Sequence, residues 1–440
     1  MFPGMTAMRI AILVCLSLCV PAGLRAQREP TDNAIKFYQW KIARDPTDFF
    51  NYDRLGAAYI RKGRETGDIT YYDLAEKSLA KSLALESTHR EAISATVHLA
   101  SVYFSEHRFN EALTQAQRSL TFGTGDLSPY ATIGDALLEM GNYKEAEAAY
   151  SKLQQDEQSP APHAGLAYLQ ATRMSSLEFL RGNTRESIRL MRKAVETAIA
   201  SQMPNESVAW TQFSLGEEYF QAGDLKNAEA AEQDALTTYP GYHRALAELA
   251  KIRSAQNRLR DSIELYKKAL AVIPLPVYAA ALGDVYTKAG LAAEAKKQYD
   301  LVEFIAHLNA LSKTVYNREL AMFYADHSMK LKAALEIAQK ELEIRRDIYT
   351  WDCLAWTLYR NGRVPEAADA MSKAMAQGTR DALLFFHAGM IYLALHDEGK
   401  ARENLTRALA INPRFHVLYA DVAERTLRPA ETTSAGNLER

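Results

Sequence analysis

Cysteine is nearly absent from this sequence of 440 residues. It occurs three times, and two of the three, Cys15 and Cys19, fall within the first twenty residues. Cys353 is alone in the rest of the chain, so no disulfide can form within that part. Its place inside an apolar helical pattern favours a small buried side chain over a reactive thiol. A chain without such cross-links must obtain its stability from buried apolar surface.

The sequence also lacks an excess of charge of either sign. Lysine and arginine number 52 against 54 aspartate and glutamate residues, and the formal net charge is −2. This balance is not typical of proteins that bind nucleic acids or membrane surfaces, so we expect no nucleic-acid partner. Glycine and proline are too few, at 21 and 14, for a collagen-like or low-complexity chain.

Motifs for catalysis and for cofactor binding are missing. The sequence has no His-Glu-x-x-His and no Cys-x-x-Cys, and "GTGD" at 123–126 lacks the lysine and third glycine of a phosphate loop. His98 and His107 are nine residues apart, as are His387 and His396, which puts the members of each pair on opposite faces of a helix. We predict no catalytic residue, no cofactor site and no metal site.

The longest apolar run lies at the amino end of the chain. Arg9 precedes an apolar stretch from Ile10 to Val20, and small residues lead on to Ala26. This order is typical of a secretory signal peptide, which we predict over residues 1–26. The alternative is a membrane anchor, for which the run is short. We therefore expect an exported protein, periplasmic or extracellular, whose mature chain has no membrane span.

The rest of the chain repeats one pattern of small and aromatic residues. Small residues recur at a spacing close to 34, at Gly56, Ala100, Gly134, Gly216, Ala250, Gly283, Ala321, Ala355 and Gly389. Each half of the unit has helical periodicity, and most gaps between halves contain glycine: Gly63, Gly141, Gly182, Gly223, Gly290 and Gly362. Such a gap favours a left-handed residue, which glycine adopts without steric cost. His107, Asn257, Ser328 and His396 take the same position elsewhere.

In this spacing the sequence resembles the tetratricopeptide repeat (TPR) family, and the resemblance covers roughly residues 32–414. It implies an all-α fold, a TPR α-solenoid in which about ten helix-turn-helix repeats form a right-handed superhelix. We predict the array over 27–414, a C-terminal capping helix over 415–427 and a disordered tail over 428–440. The insertion "RETGDITYY" is expected to lengthen the turn of the first full repeat.

The resemblance also indicates where a partner would bind, since the first helix of each repeat lines the concave side in this family. The corresponding positions near the C-terminal end are aromatic or sulfur-containing: Met322, Tyr349, Trp356, Tyr359, Phe386 and Met390. We predict that these six residues bind an extended or helical segment of a protein or peptide partner. The alternative is that they pack on neighbouring repeats or on the terminal helix, through Phe415, Leu418 and Tyr419.

The predicted function is that of an exported, non-catalytic scaffold for protein–protein interaction. Two stretches, "RETGDITYYDLAEKSL" and "FHAGMIYLAL", are similar to those of exported bacterial TPR proteins of unassigned role. One alternative is a periplasmic subunit of an outer-membrane secretion or polysaccharide-export assembly, because related arrays serve there. Another is a chaperone-like peptide holder, which flexible methionine side chains would suit. Partner identity and oligomeric state do not follow from the sequence.

Overall fold

The computed structural model describes residues 29–88, 90–154, 164–311 and 318–428. Within these ranges the chain forms 22 α-helices and one short 3₁₀ helix, Arg90–Ala92, and contains no β-strand. The predicted signal peptide (1–26) lies outside the described residues, as does all of the predicted tail except Arg428.

The helices, numbered α1 to α22 in chain order, are separated by short connections. Their bounds are α1 Glu29–Arg44, α2 Phe49–Thr66, α3 Thr70–Leu85, α4 Ile93–Ser105, α5 Phe109–Leu120, α6 Pro129–Glu139, α7 Tyr143–Ser151, α8 Ala164–Leu180, α9 Thr184–Ala200, α10 Asn205–Gln221, α11 Leu225–Thr238, α12 His243–Ala255, α13 Leu259–Val272, α14 Pro276–Lys288, α15 Ala292–Leu311, α16 Arg318–Asp326, α17 Leu331–Ile344, α18 Ile348–Arg360, α19 Val364–Ala374, α20 Ala382–Ala394, α21 Glu398–Ile411 and α22 Tyr419–Leu427. Helices α2 to α21 form ten consecutive helix pairs, called here repeat 1 (α2 and α3) to repeat 10 (α20 and α21).

The chain divides into two compact parts, a first part of residues 1–102 and a second part of residues 103–440. In the first part, α2 crosses α3 at Gly56, where an added Cβ would lie 2.6 Å from the side chain of Leu79. The buried carboxylate of Asp53 lies 2.7 Å from Nδ1 of His98 and accepts a hydrogen bond from the Ser94 hydroxyl at 2.7 Å. His98 therefore satisfies a buried carboxylate in the packing between helices.

One predicted helix end in the first part is wrong. Gly63 lies inside α2, which continues to Thr66 and ends at Gly67 with a left-handed φ of 71°. The inserted residues extend the helix by about one turn instead of lengthening the connection that follows it, so the left-handed position moves from Gly63 to Gly67.

In the second part, the predicted turn residues do have left-handed backbone angles. They are His107 (58°), Gly141 (81°), Gly182 (77°), Gly223 (79°), Asn257 (60°), Gly290 (75°), Ser328 (55°), Gly362 (77°) and His396 (61°). Each one ends the first helix of its repeat and reverses the chain into the second. The sequence pattern therefore located these turns correctly, including those without glycine.

The small residues of the repeat lie where paired helices cross. A Cβ added at Gly134 would be 2.2 Å from the ring of Tyr150, and one at Gly283 would be 2.3 Å from the ring of Tyr299. Side chains do not tolerate contacts this short, so the crossing distance depends on glycine. The tyrosine that faces each glycine then donates its hydroxyl to the next residue of the first helix, as Tyr299 does to Asp284 at 2.9 Å.

Candidate functional site

Repeats that are far apart in the sequence touch within the second part. The turn of repeat 3 lies against the loop that follows repeat 8. The backbone N–H of Arg346 donates to the carbonyl of Glu139 at 2.9 Å. The hydroxyl of Tyr143 accepts from the N–H of Ile348 at 2.9 Å.

The same contact recurs for the next two repeats. The hydroxyl of Thr379, in the loop after repeat 9, donates to the carbonyl of Leu180 in repeat 4. The amide Nδ2 of Asn412, after repeat 10, donates to the carbonyl of Phe220 in repeat 5 at 2.7 Å. Each acceptor carbonyl lies in the last turn of a first helix, and that of Phe220 also accepts from the N–H of Gly223 at 2.9 Å. We call these three contacts the seam.

Glycine is required at the seam for reasons of space as well as of conformation. A Cβ at Gly141 would lie 2.7 Å from the carbonyl oxygen of Arg346, and one at Gly182 would lie 2.5 Å from that of Gly378. Gly223 is placed in the same way against repeat 10. Gly290 and Gly362 have the same backbone conformation, but an added Cβ there would meet no atom within 4 Å. The seam therefore distinguishes turn glycines that are otherwise equivalent.

A buried ion network accompanies the first seam contact. The guanidinium of Arg345, whose side chain is 8% exposed, pairs with Glu139 and lies 3.3 Å from Asp347. Arg318 pairs with the same Asp347 at 3.2 Å. Burial raises the pKa of the Glu139 carboxyl, and Arg345 opposes that shift. Removing Arg345 would leave the Glu139 carboxylate without the counter-ion that it pairs with, which is costly at a buried position.

The inner wall is the surface formed by the first helices α10, α12, α14, α16, α18 and α20. Its middle is polar, with Glu217 on α10 and Lys251 on α12. Lys251 donates to Glu248 at 3.0 Å. Burial and the charge of Glu248 raise the pKa of Glu217 to about 8. Glu232 on α11 is fully buried beside Gly216, and neither carboxylate oxygen has a hydrogen-bond partner among the described residues. Burial raises its pKa far above the ordinary value, which favours the neutral acid.

The six residues predicted to bind a partner are not equally placed. Met322, Trp356, Tyr359, Phe386 and Met390 belong to one apolar cluster near the C-terminal end of the inner wall. Tyr349 packs in a neighbouring cluster, and its hydroxyl donates to Asp381 at 3.4 Å. Trp356 and Phe386 are each 1% exposed, whereas the other four are half-buried. Partner binding by these residues stays a prediction, but two of them are covered by the chain itself.

The covering residues are 412–427, which we call the terminal segment. The ring of Tyr419 stacks on Phe386 with centroids 4.7 Å apart, and the ring of Phe415 lies 5.6 Å from Phe386. The Tyr419 hydroxyl donates to Oδ1 of Asp326 at 2.7 Å, and Nε1 of Trp356 donates to the same oxygen at 2.8 Å. The capping helix that the sequence predicts from residue 415 begins at Tyr419, after a non-helical approach.

Further contacts carry the terminal segment across the wall to repeat 7. Asp421 forms an ion pair with Lys288, and Nε2 of His416 lies 3.9 Å from Asp284. His327 also approaches this carboxylate, at 3.3 Å. Burial raises the pKa of Asp284 to about 7 and lowers that of His416 to about 3, so His416 is neutral at physiological pH. No sequence pattern indicates that Asp284 and His416 meet, because 132 residues separate them.

The placement of the terminal segment differs from that of a simple cap. In a repeat array, each unit contacts its immediate neighbours, so a cap would contact repeat 10 alone. The terminal segment instead contacts first helices of repeats 7, 8, 9 and 10, through Lys288, Asp326, Trp356 and Phe386. It therefore packs on α21, the second helix of repeat 10, and also reaches along the inner wall as far as repeat 7.

The described residues offer little for other kinds of site. No group of three or more His, Cys, Asp or Glu side chains among them is arranged to hold a metal ion. None of the helices described is both long enough and apolar enough to cross a membrane. His387 is fully buried and lies 2.8 Å from Asp352, the same repeat position and the same contact as His98 with Asp53. These histidines are packing residues of the repeat.

Comparisons with known proteins concern the repeat. The family described as Tetratricopeptide repeat matches residues 127–155 and 382–415, which contain repeats 3 and 10. A comparison with curated proteins finds no match. Among solved structures, the chain is similar to one in the APC/C hetero-tetramer Cut9–Hcn1, with 15% identity over 92% of this chain and 94% of that one, and a TM-score of 0.33.

Two further solved structures are similar over part of the chain. BtubC from P. vanneervenii is 17% identical over 50% of this chain and 92% of its own, with a TM-score of 0.39. A tetratricopeptide repeat protein from Parabacteroides merdae is 17% identical over 59% of this chain and 97% of its own, with a TM-score of 0.34. Similarities at this level carry no information about partners. Repeats 3 and 10 therefore match the tetratricopeptide repeat, and the helix pairs between them have the same arrangement of two helices in an all-α array.

Proposed function

We propose that the protein is an exported scaffold that binds a polypeptide partner on the inner wall of its second part. The repeat fold itself is that of an interaction scaffold. The observation that supports the finer proposal is that the inner wall already holds a polypeptide, the terminal segment. That segment is held by ring stacking on Phe386 and by a hydrogen bond to Asp326, which are contacts that a foreign chain could also make.

The chemistry of the wall suits peptide recognition. The cluster around Trp356 and Phe386 supplies aromatic surface, and a buried aromatic ring removes about 150–250 Å² from water. Asp326 adds a directional acceptor inside this apolar surface. Towards repeat 6 the wall becomes charged, and the side chain of Lys251 keeps 34% of its surface accessible. Apolar anchors with a few fixed polar groups give both affinity and orientation.

A matched pair of leucines allows a direct test. Leu393 lies on α20, on the inner wall next to Met390, whereas Leu395 lies just beyond the helix end; both are 37% exposed. A photo-crosslinking residue at Met390 should capture a polypeptide partner in the exported fraction. Leu393→Glu should lower that crosslinking at least tenfold, and Leu395→Glu should leave it unchanged.

The controls separate recognition from nonspecific capture. The same crosslinker at Gln339, an exposed residue of the second helix α17, should capture nothing. Equal capture from both positions, or equal effects of the two leucine substitutions, would refute the proposal. Export is tested separately, by measuring whether the chain recovered outside the cytoplasm lacks residues 1–26 by mass.

A further inference from the structure

We infer that the terminal segment (412–427) is an internal ligand of the inner wall, and that the partner is a polypeptide segment with the same pattern of contact residues, an aromatic residue followed by a short amphipathic helix. This inference rests on the proposed function, because it names the partner of that site and the contact that regulates access to it. Its basis is the set of contacts between the segment and repeats 7 to 10.

The terminal segment is held by one face only. In α22 only Ala420 and Ala423 are fully buried, while most of the remaining residues are half-exposed. A helix of nine residues is not stable alone in water, so α22 is helical because the wall holds it. A segment that depends on one surface in this way opens more easily than the core does. A longer helix could therefore take its place.

The contacts specify what a competing helix must offer. Tyr419 stacks on Phe386 and lies edge-on against Trp356, and the ring of Phe415 lies tilted against Phe386. The Tyr419 hydroxyl provides one of the two side-chain donors to Asp326, so its loss would leave that buried carboxylate poorly satisfied. A replacement must therefore place an aromatic ring with a donor at this point.

The remaining contact positions of the segment restrict the size and the charge of the residues that a competing segment can carry there. Ala420 and Ala423 are fully buried in the cluster that also contains Leu405 and Ala408 of α21, so the helix backbone packs closely on its neighbours. Asp421 pairs with Lys288, which favours an acidic residue directly after the small one. The pattern is aromatic, three variable residues, tyrosine or tryptophan, small, acidic, variable and small. It is present in this chain as "FHVLYADVA", residues 415–423.

An internal ligand must weaken the binding of any external one. A segment tethered by a short linker is present at an effective concentration of the order of millimolar. The apparent dissociation constant of a competitor is raised by the reciprocal of the fraction of chains in which the wall is free. Weakening the internal segment should therefore strengthen binding of an added peptide, although the wall itself is unchanged.

The probe is a fluorescent peptide of residues 412–428, added to the full chain and followed by anisotropy. We expect at least tenfold tighter binding to a chain with Phe415→Ala and Tyr419→Ala than to the wild type. A peptide that carries the same two substitutions should bind neither chain. Equal affinity for the two chains, or binding that does not depend on the two rings, would overturn the inference.

A charge exchange provides a second test that leaves the aromatic cluster intact. Lys288 and Asp421 are partly exposed, so changing them should not unfold the chain. In the chain with the two alanines, Lys288→Glu should weaken the normal peptide several-fold, and a peptide with Asp421→Lys should recover the loss. No recovery would overturn the inference. If the peptide tests fail while crosslinking from Met390 still depends on Leu393, the proposed function stands and only the inference is lost. If both fail, both are wrong.

Discussion

The seam can be tested with two glycines that have the same backbone angle. Gly182 and Gly362 both end the first helix of a repeat with φ 77°. An alanine at Gly362 would meet nothing within 4 Å, whereas one at Gly182 would place its Cβ 2.5 Å from the carbonyl oxygen of Gly378. The two substitutions therefore differ in the seam contact and share the conformational cost.

The expected losses of stability follow from the left-handed backbone conformation, which both sites share, and from the seam contact, which only Gly182 makes. A left-handed alanine costs about 1–2 kcal/mol relative to glycine at either site. At Gly182 the loop after repeat 9 must also move away, which breaks the buried hydrogen bond from Thr379 to Leu180. A buried polar group without its partner costs about 1–3 kcal/mol. Gly362→Ala should thus lose about 1–2 kcal/mol and Gly182→Ala about 2–5 kcal/mol.

Urea unfolding followed by circular dichroism measures the difference, with hydrogen exchange as a local readout. Amides of the loop after repeat 9 should exchange faster in Gly182→Ala and at the wild-type rate in Gly362→Ala. Thr379→Val in the wild-type background should reproduce most of the additional loss, because it removes the same donor. Equal destabilisation by the two alanines, with unchanged exchange in the loop, would show that the seam does not hold these repeats together.

Three further predictions concern the interior of the second part. Burial raises the pKa of Glu218 to about 7, although the hydrogen bond from the Ser175 hydroxyl partly opposes this shift. The protonated carboxyl therefore stabilises the fold at low pH, and this contribution is lost as the pH rises through 7. Between pH 5 and pH 8, the free energy of unfolding of Glu218→Gln should therefore rise relative to that of the wild type by up to about 3 kcal/mol, measured by urea titration. A difference between the two proteins that does not change with pH would contradict this prediction. Trp356→Ala should lower the free energy of unfolding by about 3–5 kcal/mol, because the side chain is 1% exposed, and an unchanged melting temperature would count against this packing. Gly283→Ala should cost about 1–3 kcal/mol through the clash with Tyr299, and Tyr299→Leu in the same chain should recover part of that loss if the clash is the cause.

Local features of the fold could be predicted because each depends on residues within one repeat. The left-handed turns at Asn257, Ser328 and His396 follow from their position in the period, although none is glycine. Gly63 shows the limit of that reasoning. An insertion after it extended the helix, and the position of the turn moved with the helix end to Gly67.

The seam could not be predicted because it depends on how small rotations between repeats accumulate. Its contacts join residues far apart in the sequence: 205 positions for Tyr143 and Ile348, 199 for Leu180 and Thr379, and 192 for Phe220 and Asn412. Neither the 34-residue period nor any motif encodes which loop meets which turn. The covering of Trp356 by Tyr419 was only an open alternative.

The seam also bears on how this chain can change length. Solenoid proteins commonly gain or lose whole repeats, because each unit needs only its neighbours. Here the turns of repeats 3, 4 and 5 meet the loops after repeats 8, 9 and 10. A duplication or deletion of one repeat between them would bring Gly141, Gly182 and Gly223 opposite the wrong loops. In this protein the repeats share a sequence pattern, but the seam constrains how many of them lie between its paired turns and loops.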